Sequence, residues 1–545
     1  MGVSWESVDL SCPEPLYDSY LRHSTSLAAR FDGDPLDPGW PSRRLTYLAG
    51  RSFSREDLAQ AIAAYNRRAG AGPLAVANAL SLREPGTAVV VGGQQAGLLT
   101  GPLYTIHKAA NVIQLARELG RRLGIVVVPC FWVAAEDHDL AEVDHIWVPG
   151  DGGLPVRFGL DMPRRCRLPV GEIALGSSAS PILDQLGEVI PRSEHRRAIL
   201  AKLRDLAQGA TSLADWFARI MAWLFAPWGL VLVDPADRAL RAVAGPFLGR
   251  LVEGAPDLAG AVEEGTRAVE GLGFEPQFRP RRGRAHLFLA GPGGERLPLQ
   301  LDSQGGFRVG AGRARTHLDR AQAVNLAQAE PWRLSANVVS RPLIQEAILP
   351  VLAQVVGPGE TGYYAQLREA FSLFGFALPV LWPRLSLTLA DGPVRRLMTR
   401  YRVRLERGQP GLQEERERVL ASLDRTGFEA AFDAARAEIG RRYDLITRAV
   451  VPLDPAMEQL TGVNRHRVLG ELAYLHERAR RAHRERQRVV VGHFARLEGH
   501  LFPRGQWQER VLNVVPWLCR YGHTLITWIV ESPLVTDHRH RLLLF

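Results

Sequence analysis

A chain of 545 residues is too long for one simple core, so two or three domains, or a core with insertions, are expected. Its 46% apolar content is ordinary for a globular protein, and the net charge of +9 is carried almost wholly by arginine. That charge comes with no helix-turn-helix, finger or RNA-binding aromatic signature; arginine-favouring codons explain it more simply than nucleic acid, with some arginines left for an anionic substrate.

Four cysteines, Cys12, Cys130, Cys166 and Cys519, are scattered without metal or redox spacing, which suits a reducing compartment. The first residues, MGVSWESVDLSC, lack a basic region followed by an apolar stretch, and no apolar run nears membrane-spanning length. The expected location is cytoplasmic, with no membrane partner.

In chain order, turns around Asp32–Pro35 and a helix from Arg55 to Ala69 precede the most informative stretch, Thr87 to Asp139. Ala88–Val91 has the β-branched content of a buried strand. A glycine loop from Gly92 to Gly101 leads to Pro102 and a helical pattern ending at Leu119. Ile125–Ala135 reads as the next parallel strand and ends in Glu136-Asp137-His138-Asp139. Strand, glycine loop, helix, strand is a βαβ unit, whose ligands gather at the carboxyl ends of its strands. Candidate binding residues are therefore Gly93, Gln94, Gln95, Gly97, Thr100 and Gly101. On the helix, Tyr104, His107, Lys108 and Asn111 stand at i, i+3, i+4 and i+7 and share a face. Lys108 is one of only two lysines in the chain, which singles it out as a compact ammonium.

The acidic cluster admits three readings: a base or anchor for an amine, a metal site, or a capping network. Neighbours on an extended chain alternate, so only Glu136 with His138, or Asp137 with Asp139, converge without a turn. Metal ligands more often come from separated positions, and no zinc spacing is present, so no metal is expected. Glu136, Asp137, His138, His107 and Lys108 are the catalytic candidates, and Asp139 a binding one.

Beyond Pro149 the glycine-rich break opens a first insertion; Trp216–Trp228 is helical and Gly229–Asp234 is a core strand. A second, strand-rich insertion runs to about Asp319. The core resumes with Ser335, Asn337 and Arg341 before a helix from Ile344 to Val351. Val355-Val356 leads into Gly357, Gly359, Glu360 and Tyr364, where a helix beginning near Thr361 would aim N–H groups at an anion. Residues Phe428 to Val450 then carry apolar side chains at coiled-coil spacing, and Glu458–Leu501 resumes after Pro452 and Pro455. Two antiparallel helices or a hairpin follow, and so narrow a stripe predicts a dimerisation arm. Arg510 and Asn513 stand in the segment that returns to the core, and His538 and His540 in an arginine-rich tail expected to be solvated.

The fold class is thus α/β: a Rossmann-like parallel-sheet nucleotide-binding core with inserted connecting domains and a long α-helical coiled-coil arm. Its parts are 1–149 (N-terminal core), 150–228 (first insertion), 229–244 (core strand), 245–330 (second insertion), 331–390 (core), 391–503 (arm) and 504–545 (return to the core).

The strings GGQQAGLLTGPLYTIHK, FWVAAEDHDLAEVDH, SANVVSRPLIQEAILP, VVGPGETGYYAQL and QERVLNVVPWLCRYG, in this order across nearly the whole chain, resemble the bacillithiol biosynthesis cysteine-adding enzyme family. Gly92 departs from its pattern, where threonine is expected. The resemblance implies a ligase that adds L-cysteine to the amine of glucosaminyl malate, forming bacillithiol, with ATP or another donor activating the cysteine. Helix N-termini and Lys108 suit an anion, Glu136 and Asp137 an ammonium, and Asn337, Arg341 and Arg510 the carboxylates of malate. More loosely, GPLYTIH resembles the GPLHIGH signature of class I aminoacyl-tRNA synthetases, with Tyr104 in place of the first histidine. A synthetase-like nucleotide- or RNA-binding protein is the alternative, although a chain with two lysines holds no KMSKS loop.

Overall fold

A computed structural model describes residues 3–10, 14–150, 152–160, 168–176, 178–310, 316–424 and 426–545. Cys12, Cys166 and Asp151 lie outside the described residues. The chain forms two compact units: residues 1–150, 155–389 and 506–545 in the first, and 151–154 with 390–505 in the second. Apart from 151–154, the segments read as insertions lie in the first unit.

The strands are β1 (Ser4–Val8), β2 (Ala88–Gln95), β3 (Val127–Ala134), β4 (His145–Pro149), β5 (Pro155–Gly159), β6 (Val231–Val233) and β7 (Arg284–Ala290). They continue as β8 (Arg296–Leu301), β9 (Phe307–Val309), β10 (Thr316–Leu318), β11 (Leu334–Ala336), β12 (Val351–Val356), β13 (Val380–Pro383), β14 (Leu387–Ala390) and β15 (His540–Leu544).

The central sheet has the order β13-β12-β2-β3-β6 and is parallel throughout. Its strands are continuous apolar runs because helices cover both faces; Val89, Val90 and Val91 are fully buried. From β2 the chain moves to β3 and β6 on one side, then returns to β12 on the other. The switch point therefore lies between β2 and β12, where such sheets bind ligands. β2 runs on to Gln95, four residues beyond the predicted strand, because β3 pairs with it as far as Gln95↔Ala134.

The Tyr104–Leu123 helix packs on this sheet through Ile106, Ala110, Ile113 and Ala116, all buried. Gly124, at φ 67°, ends it in the left-handed conformation glycine tolerates best. Residues 284–336 add a five-stranded antiparallel sheet ordered β10-β9-β8-β7-β11. β1 and β15 pair antiparallel from Ser4↔Leu544 to Val8↔His540, and β14 completes that small sheet. The tail is therefore not solvated as predicted: His540 is buried within a strand, its ring nitrogens against Ser386 and Thr388 hydroxyls at 2.8 Å.

In the second unit, Phe428–Val450 and Met457–Arg486 form an antiparallel helical pair. Phe432 stacks on His476 with centroids 4.4 Å apart, and Thr447 meets Thr461 at 3.0 Å. The predicted stripe is thus covered in part by its own chain. Gln487 interrupts the second helix, which resumes as Arg488–Leu501. Among the described residues, no helix is long and apolar enough to cross a membrane.

Candidate functional site

A cavity of about 650 Å³ lies at the switch point of the parallel sheet. Gly93, Gln94 and Gln95 reach it from the end of β2; Glu136, Asp137 and His138 from the turn after β3; Gly357, Gly359 and Glu360 from the turn after β12. Tyr104 and Lys108 enter from the helix, Asn337 and Arg341 from the segment after β11, and Arg510 from the returning chain.

Lys108 is 2% exposed, and its Nζ donates to Gly93 O at 2.8 Å, to Gln94 Oε1 at 3.3 Å and to the Glu360 carboxylate. Burial pulls its pKa below the ordinary lysine value, and Glu360 opposes that pull. A side chain at Gly92 would put its Cβ 2.7 Å from Val112 Cγ2 and 3.2 Å from Lys108 Cγ, so glycine leaves room for the lysine stem. Glu360 also accepts the Gly357 N–H at 2.8 Å. It caps the Pro358–Gln366 helix, so the N-terminus predicted to hold an anion already carries a carboxylate of its own chain.

The acidic cluster departs from the predicted alternation. Ala135 N–H bonds Val133 O at 2.7 Å and turns the chain, and the turn brings Glu136, Asp137 and His138 to one cavity together. Only Asp139 is directed away, exposed at the start of a short helix. Asp137 accepts from Gln95 Nε2 at 2.6 Å, whereas Glu136 is 7% exposed and ion-paired with Arg241. Arg296 approaches from β8, 3.2 Å from His138 Nδ1 and 4.1 Å above the Phe288 ring. Among the described residues, no group of three or more His, Cys, Asp or Glu is placed to hold a metal ion.

Nine predicted residues do not line this cavity: Gly97, Thr100, Gly101, His107, Asn111, Asp139, Ser335, Tyr364 and Asn513. His107 and Lys108 stand about 100° apart on the helix, so one turns from the cavity as the other enters it. His107 is fully buried with Nδ1 3.1 Å from Glu509, and burial lowers its pKa. Asn111 Oδ1 accepts the Leu385 N–H at 3.0 Å. Asn513 staples the glycine loop, donating to Leu99 O at 2.8 Å and Gly101 O at 2.6 Å. The loop needs that hold, because Leu99 and Thr100 both take positive φ, at 48° and 76°. Gly97 packs against it, a Cβ there falling 3.2 Å from Gly101 Cα. Tyr364 is buried, and its neighbour Tyr363 lines the cavity instead, accepting a hydrogen bond from Arg341. Ser335 faces a different cavity, beside Asp234 and Trp332.

Residues absent from the sequence reading complete the wall: Arg384 from the end of β13, Glu142, and Phe288 and Arg296 from the antiparallel sheet. Arg384 had a signal, since it follows a strand of the parallel sheet directly, where ligand contacts concentrate. Arg296 had none, because only the folded sheet brings β8 over the acidic turn.

A Rossmann-like core whose switch-point cavity gathers lysine, arginines and carboxylates, joined to a coiled-coil unit, places the chain in the α/β class of Rossmann-like proteins. The family described as "Bacillithiol biosynthesis BshC, N-terminal Rossmann-like domain" matches residues 3–385, and "Bacillithiol biosynthesis BshC, C-terminal coiled-coil domain" matches 387–545. The chain belongs to the BshC family of bacillithiol biosynthesis. It is 36% identical over 550 residues to "Putative cysteine ligase BshC" of Symbiobacterium thermophilum, covering 97% of each chain. The protein of the same name from Geobacillus kaustophilus is 35% identical over 495 residues, covering 90% of this chain and 91% of that one. The Bacillus cereus protein is 30% identical over 543 residues, covering 99% of both.

Proposed function

We propose that this protein is a carbon–nitrogen ligase that joins L-cysteine to the amine of glucosaminyl malate, yielding bacillithiol. The observation that carries this reading is the pairing of opposite charges in one cavity. Asp137 offers a carboxylate to the acceptor ammonium, while Arg341, ion-paired with no carboxylate among the described residues, lines the same space beside Arg384 and Arg510 and suits a carboxylate of malate. The amine must lose a proton before it attacks the cysteine carboxyl carbon, and in this reading Asp137, which accepts from Gln95, takes it. The bond formed is C–N and the bond broken is C–O, so the carboxyl oxygen has to leave as part of a better leaving group. A nucleoside triphosphate, when bound, would supply that group; ATP is the reading's candidate, and a resident metal is not part of it. Lys108, held between Gly93 and Glu360, lies where it can stabilise charge on the departing oxygen.

The reading places the protein in the cytoplasm, where cysteine is reduced, and as a homodimer through the coiled-coil arm. Leu445, Leu453, Leu460 and Val463 on that arm are 57%, 82%, 59% and 63% exposed, and a second copy would cover them. Purified protein supplied with glucosaminyl malate, cysteine and ATP, followed by mass spectrometry, should show the mass of bacillithiol. Calorimetry with glucosaminyl malate alone should show binding that is lost on Arg341→Ala. Absence of both product and binding would reject the assignment.

A further inference from the structure

Beside the catalytic cavity lies a second of about 420 Å³, with Phe288, Arg296 and Asn337 in the wall common to both. Its charge is one-sided. Four arginines line it, Arg279, Arg281, Arg284 and Arg296, and no aspartate or glutamate does. Arg279 is neutralised by Glu270 at 2.8 Å. Among the described residues no carboxylate pairs with Arg281 or Arg284. In the main cavity Lys108, Arg384 and Arg510 each hold a carboxylate of this chain, Glu360, Glu509 and Glu14, and Arg341 bonds Gln345 and Tyr363. Two unmatched guanidinium groups that repel one another are a place for an anion.

The backbone adds a second observation. His286 takes φ 58°, a conformation L side chains rarely adopt, at a bulge where the β7–β8 register shifts between Arg284 and Phe288. Ser340 Oγ fixes the bulge by donating to His286 O at 2.6 Å. The imidazole is 5% exposed and lines the cavity. Its Nδ1 accepts from Asn337 Nδ2 at 3.2 Å, which leaves the proton on Nε2. Burial and the Arg284 charge hold its pKa down at about 4, so it is a neutral donor at physiological pH.

We propose that this annex is a polyphosphate-binding subsite that takes the phosphate chain of a nucleoside di- or triphosphate on Arg281, Arg284 and the Nε2–H of His286. The nucleotide identity rests on the ligase reading; the anion site rests on the charge and geometry alone. The placement also differs from the expectation that the helix N-terminus near Thr361 faces an anion, since Glu360 fills that position itself.

Calorimetry with ATP, ADP and sodium pyrophosphate tests this without turnover, so its outcome is separate from whether bacillithiol forms. All three should bind the intact protein, and Arg281→Ser/Arg284→Ser should weaken each by about tenfold or more. Arg204→Ser, at a half-buried arginine paired with Asp184 and outside both cavities, should change nothing. Arg281→Lys/Arg284→Lys should recover part of the loss, and an unchanged melting temperature in the serine variant separates lost contacts from unfolding. Affinity that survives the serine substitutions, or absence of binding by all three anions, overturns the proposal. ATP binding no tighter than pyrophosphate would overturn the nucleotide assignment. An RNA oligonucleotide that binds more tightly than ATP, and is lost in the same variant, would replace it with a nucleic-acid site.

Discussion

Arg384 donates to Glu509 at 2.7 Å, joining the wall of the switch-point cavity to a segment that follows it by more than a hundred residues. Glu509 is 3% exposed and also accepts from Ser386 Oγ at 3.0 Å and Leu387 N at 2.9 Å, with His107 Nδ1 at 3.1 Å. These donors hold its pKa well below the ordinary carboxylate value despite burial. Glu509 thereby fixes the Arg384 guanidinium at the cavity wall without itself lining the cavity. Glu509→Gln should raise KM for glucosaminyl malate more than it lowers kcat, and should destabilise the fold by about 3 kcal/mol through the stranded Arg384 charge. An equal fall in kcat with KM unchanged would remove the positioning role.

Lys108→Ala should lower turnover by about 100-fold or more, since an ammonium aimed at developing charge is lost. Lys108→Arg should not restore it, because the wider fork does not fit between Gly93 O and Glu360. Steady-state rates with circular dichroism decide this, and near-normal turnover in the alanine variant would exclude a catalytic lysine.

Glu136 and Asp137 should separate. Glu136→Gln breaks a buried ion pair with Arg241 and should cost about 3 kcal/mol of stability. Asp137→Asn, at a side chain 36% exposed, should leave the melting temperature within a few degrees and depress kcat. Thermal melts and rates on both variants check it; the reverse pattern would move the base to Glu136.

Acid should unfold the protein in two stages. Burial depresses the His540 pKa from 6.5 to about 4, although Glu509 opposes the shift; His107, Arg384 and Arg541 reinforce it. Between pH 6.5 and 4 the unfolded chain binds this proton and the folded one does not, so stability falls as pH falls. The loss from His540 is on the order of 3 kcal/mol at most. Below pH 4.5 the depressed Glu509 carboxylate adds a second loss, as the unfolded state protonates first. His540→Gln should lose less melting temperature between pH 7 and 5 than the parent does. Parallel curves would mean that His540 does not control the first stage.

The helical pair offers two substitutions with opposite readouts. Phe432→Asp faces His476 of the same chain and should lower the stability of the second unit. Leu460→Glu/Val463→Glu falls on exposed positions and should leave helicity intact while yielding a monomer in sedimentation. A parent that already sediments as a monomer removes the dimer.

The βαβ unit, the glycine loop and the Phe428–Val450 helix were legible because local periodicity and turn chemistry specify them. Tyr104 and Lys108 line the cavity from the Tyr104–Leu123 helix. His107 and Asn111 do not, because helical spacing defines a fan of side chains and only the neighbouring segments decide which edge of it meets the cavity. Arg296, Phe288 and Arg384 depend on pairings between distant strands, and a single sequence carries no record of those. The convergence of Glu136, Asp137 and His138 turned on one backbone bond at Ala135, below the resolution of any alternation rule.

The pairing of β1 with β15, Ser4 against Leu544, has a consequence for biogenesis. Translation proceeds from the amino terminus, yet the carboxylate opposite His107 and the amide that staples the glycine loop arrive only with Glu509 and Asn513. Until those residues are made, the nascent chain's His107 lacks its Glu509 partner and its glycine loop lacks the Asn513 amide. Such intermediates expose apolar surface for as long as synthesis lasts. The first unit is complete only when residues 506–545, the last part of the chain to be made, have joined it.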